Sequence, residues 1–117
     1  MSGRIIYHLI PEASDDGRDP YAPESLQREG FIHATGERDQ LPCVAQRFLA
    51  HHKRLRVFLI DTSRITARLV DEPAADDDGA LYPHIYGPLN RDAIIATAQL
   101  RRRPDGTFVW HDDDSDP

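Results

Sequence analysis

Apolar and polar positions divide this chain into short segments. Arg4–Ile10 is rich in β-branched and aromatic residues and is stopped by Pro11, which predicts a strand. From Glu12 to Pro23 the composition turns to Asp, Gly, Pro and Ser, a loop of the length that often carries function. Ser25–Glu29 predicts one helical turn, capped by Ser25 and ended by Gly30. Gly30–Thr35 reads as a second strand. Beyond it Leu41, Val44, Ala45, Phe48 and Leu49 fall at i, i+3, i+4, i+7 and i+8. That is one apolar stripe of a helix ending near His51 and His52, with Thr35 or Asp39 as cap and Pro42 in the first turn. Cys43 falls opposite the stripe and reads as an incidental thiol.

Leu55–Asp61 has a continuous apolar centre, the mark of a strand buried on both faces. Thr62–Arg64 is a turn, and Thr66–Glu72 alternates weakly as a third or edge strand closed by Pro73. Residues 74–80 form an acidic loop expected to be disordered. Tyr82–Tyr86 is a short strand between prolines, Asn90–Asp92 a turn, and Ile94–Leu100 another strand. Pro104-Asp105-Gly106 predicts a hairpin turn and Phe108–Trp110 the returning strand. The expected fold is α+β: a mostly antiparallel sheet of six or seven strands, split in two, with one main helix.

Composition narrows this. At 117 residues, 39% hydrophobic, the chain predicts a single domain, placed at 1–111, with an acidic tail at 112–117 expected to be disordered. The formal net charge of −6 argues against broad nucleic-acid binding, which needs a basic face. Arg54, Arg56 and Arg101-Arg102-Arg103 leave room for a local basic patch. Cys43 is the only cysteine, so an intrachain disulfide and a thiolate zinc cluster are excluded. No apolar stretch approaches the ~20 residues that span a bilayer, and no signal-peptide pattern opens the chain. A cytoplasmic protein without membrane attachment is expected; its oligomeric state is open.

Three histidines stand in apolar runs: His8, His33 and His84. Each alone reads most simply as a satisfied structural residue. Together they suggest a site assembled by folding, with His33 strongest because it ends a strand and is followed by Ala34 and Thr35. His51, His52 and His111 read as solvated. Imidazoles can ligate zinc, but no His-x-His or His-Glu-x-x-His spacing occurs, so no metal is expected. Serine-elbow, Walker and dinucleotide glycine patterns are also absent. Tyr7, Phe31, Tyr82 and Tyr86 lie beside the histidines, where flat rings suit a heteroaromatic ligand or, more simply, the core.

Ile6-Tyr7-His8, then Ser25-Leu26 with Glu29-Gly30-Phe31-Ile32-His33-Ala34-Thr35, then Pro83-His84-Ile85-Tyr86-Gly87-Pro88-Leu89, together resemble the bacterial family called domain of unknown function 952. That family is grouped with the ADP-ribosyltransferase-like superfamily. The resemblance implies two split antiparallel sheets clasping NAD. Tyr7-His8 matches the place where a histidine holds the nicotinamide ribose. Ile32-His33-Ala34-Thr35 matches a second motif of the tRNA 2′-phosphotransferase branch. A third position, often Glu in transferases acting on proteins, would fall near Tyr82–Tyr86, where no acid stands.

The implied site is therefore His8, His33 and Tyr86 as catalytic residues, with Tyr7, Phe31, Thr35 and His84 around the NAD cofactor. The first expectation is an NAD-using or nucleotide-handling transferase. The alternative is a non-catalytic module binding a nucleotide-like ligand, and a histidine-ligated metal enzyme is third.

Overall fold

The structure, a computed structural model, describes residues 3–73 and 80–112. Seven strands and two helices follow one another: β1 (Ile5–Pro11), α1 (Glu24–Glu29), β2 (Ile32–His33), α2 (Leu41–Phe48), β3 (Arg54–Asp61), β4 (Arg68–Pro73), β5 (Leu81–Tyr86), β6 (Ile94–Arg102) and β7 (Phe108–Asp112). All strand pairs are antiparallel. One sheet runs β1-β3-β6-β7 and the other β2-β5-β4. The α+β class and the split of the sheet are as expected. β7 runs through Asp112, one residue past the expected domain boundary. The rest of the acidic tail and most of the 74–80 loop lie outside the described residues.

Alternation explains the layers. On β3, Leu55, Val57 and Leu59 face α2, packing with Leu41, Ala45, Leu100 and Phe108. Phe58 and Ile60 face the other way, joining Ile6, Ile10, Ile32, Ile85 and Leu89 in a second core between the sheets. The larger sheet is thus covered on both faces, by α2 and by the smaller sheet. Among the described residues, no helix is long and apolar enough to cross a membrane.

Three local expectations are corrected. α2 ends at Phe48 because Leu49 leaves helical geometry (φ −132°, ψ 23°), so Phe48 swings outward and is 62% exposed. Neither Thr35 nor Asp39 caps α2; a 3₁₀ turn at Arg38–Gln40 leads into it instead. Ser25 does not cap α1, which begins after Pro23 and ends at Gly30 in the left-handed region (φ 86°), a conformation glycine adopts without strain.

The expected strand at Gly30–Thr35 is really a hand-over. Ile32 and His33 pair with Ile85 and His84 in the smaller sheet. Two residues later Thr35 pairs with Tyr7, exchanging both main-chain hydrogen bonds at 2.8 and 2.7 Å. This one segment links the two sheets.

Candidate functional site

The smaller sheet has two unlike faces, as period-two alternation requires. Its inner face gives Ile32, Ile85 and Leu69 to the core. In the register Arg68↔Tyr86, Val70↔His84, Glu72↔Tyr82 and His33↔His84, the outer face carries polar and aromatic groups. Phe31 folds over this face and stacks on His84, with ring centroids 4.0 Å apart and planes 18° from parallel. It also meets His33 edge-on at 4.7 Å and Tyr86 at 5.4 Å. His84 is buried beneath it.

Glu72 ties this group together from the neighbouring strand. Its Oε1 accepts from His84 Nδ1 at 2.9 Å and from the Tyr86 hydroxyl. A carboxylate can only accept, so the His84 proton sits on Nδ1. The Tyr86 and His84 hydrogen bonds hold the Glu72 carboxyl below its ordinary range. The same bond to Glu72 pushes the Tyr86 hydroxyl up. Both contacts converge on one oxygen, and among the described residues nothing hydrogen-bonds Oε2. Arg68 stands over the Tyr86 ring at 5.7 Å. His33 is half exposed and donates from Nε2 to Glu29 at the end of α1, 2.8 Å away.

The expected site residues do not all come together. Phe31, His33, His84 and Tyr86 come together on the outer face. His8 lies behind them, 6% exposed, joined to the group only through main chain. Its Nδ1–H donates to the His33 carbonyl at 2.5 Å and its Nε2 accepts from the Tyr21 hydroxyl at 2.8 Å. Burial lowers its pKa to about 4, so the ring is neutral and both nitrogens are committed within the chain. In this conformation His8 has no nitrogen to offer a ribose. Tyr7 points to the opposite face of β1, towards Trp110. Thr35 is buried and serves through its backbone.

Sequence reasoning missed Glu72 and Glu29. Glu72 stands on β4 opposite Tyr82 and diagonal to His84 across the hairpin. The sequence carried only a weak signal, the i, i+2, i+4 spacing that puts Arg68, Val70 and Glu72 on one face of a strand. Among the described residues, no three His, Cys, Asp or Glu side chains are grouped to hold a metal ion.

A second polar cluster pins the long loop. Asp15, nearly buried, is held by Arg91 at 2.7 Å and Arg56 at 3.0 Å. Arg91 chiefly, with the Gly17 amide and Arg56, lowers its pKa to about 2. Arg91 also lies over Tyr21, the partner of His8.

Fold and site together define a small split-sheet protein with an open aromatic and carboxylate surface on its smaller sheet. The chain belongs to the family described as protein of unknown function (DUF952), which matches residues 11–97. Its fold is similar to that of protein CC0527 from Caulobacter crescentus, whose crystal structures include a double mutant. Each is 22% identical with a TM-score of 0.75, over 90% of this chain and 93% of that one. No curated protein matches the chain.

Proposed function

We propose that the outer face of the β2-β5-β4 sheet is the ligand site of an ADP-ribosyltransferase-like protein, an NAD-using or nucleotide-handling transferase. The observation that carries this reading is the Glu72–Tyr86–His84 network beside the rings of Phe31 and Tyr86. A depressed carboxyl is ionised at neutral pH, and Oε2 would accept from a ribose hydroxyl. The same charge would stabilise positive charge developing at a ribosyl carbon, where fixed electrostatics is the main catalytic lever. Phe31 and Tyr86 would border a flat base. His33 and Arg68 flank the rings and would meet ribose or phosphate oxygens.

These groups fit the nicotinamide-ribose end of NAD: a carboxylate for the hydroxyls and ring faces for the base. Bound there, NAD would supply a glycosidic bond with nicotinamide as leaving group. His84 positions Glu72, and His8 holds the His33 main chain in place rather than touching ligand.

The test is titration with NAD, ADP-ribose and nicotinamide, following histidine resonances by NMR and assaying nicotinamide release. Shifts at His33 and His84, with release falling about 10²-fold in Glu72→Gln while binding is kept, are the expected result. Absence of any shift with all three ligands at millimolar concentration would sink the proposal.

One observation favours a second reading, a non-catalytic binding module. Glu72 already receives two hydrogen bonds from its own chain, and the site lies open to water. In that case ADP-ribose binds and no nicotinamide is released.

A further inference from the structure

We infer that a groove on the opposite side of β1 binds a small organic cation, a quaternary ammonium or guanidinium compound. The groove encloses about 450 Å³ between β1, β7 and the turn that leads into α2. That is within the ~300–1,000 Å³ usual for small-molecule sites. Leu100 and Pro42 line it with Tyr7 and Trp110. The two aromatic rings stand at 84° to each other with centroids 6.4 Å apart, forming two walls of a corner. Trp110 is fixed by its indole N–H, which donates to Asp112 at 2.5 Å.

One ring already carries a cation. The Arg38 guanidinium lies 3.8 Å from the centre of the Trp110 ring. Aromatic faces attract cations through their quadrupole, and paired rings are the common cage for alkylated ammonium groups. The other charged side chains lining the groove are Glu37 and Asp39, both acids. With Arg38 displaced, the lining is aromatic and negative, which suits a cation and repels an anion. Arg38 is exposed and its contact is of the weak, exchangeable kind. It acts as an internal stand-in for the ligand.

This site is separate from the Glu72 face, so the two readings stand or fall independently. Trp110 is the only tryptophan in the chain, and its fluorescence reports on the groove alone. The experiment titrates the protein with choline chloride, methylguanidinium chloride, sodium chloride at equal ionic strength, and 3,3-dimethylbutanol, the neutral isostere of choline. A saturable change with either organic cation is expected, at least tenfold tighter than with the alcohol. Arg38→Ala should tighten it about threefold or more by removing the competitor. Glu37→Gln with Asp39→Asn should weaken it by a similar factor. A response to both cations no different from that to sodium chloride, equal affinity for the alcohol, or no tightening in Arg38→Ala would each overturn the inference.

Discussion

A neutral histidine sealed inside a protein makes stability depend on acid. His8 titrates near its ordinary value once the chain unfolds, but near 4 in the fold. Between those two points the unfolded chain binds the extra proton. Stability is therefore full above about pH 6.5 and falls as pH drops towards 4, by up to about 3 kcal/mol. Thermal unfolding followed from pH 7 to 4 should show this slope, and His8→Gln should flatten it, with a lower midpoint than the parent at pH 7 and a difference that closes as pH falls towards 4. His33 makes the opposite case. It is exposed and its bond to Glu29 lies in water, so His33→Ala should cost no more than about 0.5 kcal/mol. Removing His8 should cost about 2 kcal/mol or more, because its partners at His33 and Tyr21 are left buried. Equal losses in the two variants would show that the strut and the surface residue have been confused. Phe31, His33, His84 and Tyr86 were legible because each sits in or beside an apolar run that fixes which way the chain alternates. Glu72 was not, since its chemistry depends on a partner strand that no local pattern names. Tyr7 and His8 show the converse error: neighbours in sequence, they point to opposite faces of one strand.

Elements differ in how far local pattern decides them. β3 was readable because both of its faces are covered, and every register position from Leu55 to Ile60 is apolar or shielded. α2 was misread at its end, where the stripe continues on paper but the backbone does not. Phe48→Gln should therefore change stability by less than about 0.5 kcal/mol, while Leu41→Ala, at the buried end of the same helix, should cost about 2–4 kcal/mol. Denaturant midpoints of the two variants measure the contrast. Gly30 is the hinge between α1 and the site. Nothing would clash with a side chain there, so the cost of Gly30→Ala is conformational, about 1 kcal/mol. The expected outcome is a drop of a few degrees in melting temperature, with the resonances of both Phe31 and His33 displaced. An unshifted His33 would mean that the α1 end does not set its position.

At the scale of the molecule, the two sheets share a core but, among the described residues, exchange main-chain hydrogen bonds directly at one place, Tyr7 with Thr35. If the molecule unfolds as one unit, those two amides should exchange with solvent as slowly as the centre of β3. Much faster exchange at Thr35 would make the smaller sheet a separate unit. The general architecture was legible because seven alternating or apolar segments and one stripe leave few ways to build a core. The split into two sheets came from the family resemblance as much as from pattern, because the contact that joins them, Tyr7 with Thr35, is far apart in sequence.

The smaller sheet divides labour between its faces. Ile32, Leu69 and Ile85 hold the chain together from one side, and polar and aromatic groups face outward on the other. Apart from His84 beneath its phenyl cover, the outward positions lie outside the apolar core. Descendants of a common ancestor could replace Arg68, Val70, Glu72 and Tyr86 and keep the same scaffold. Such a lineage can drift in what it recognises while its shape stands still, and two of its members can share an outline without sharing a substrate.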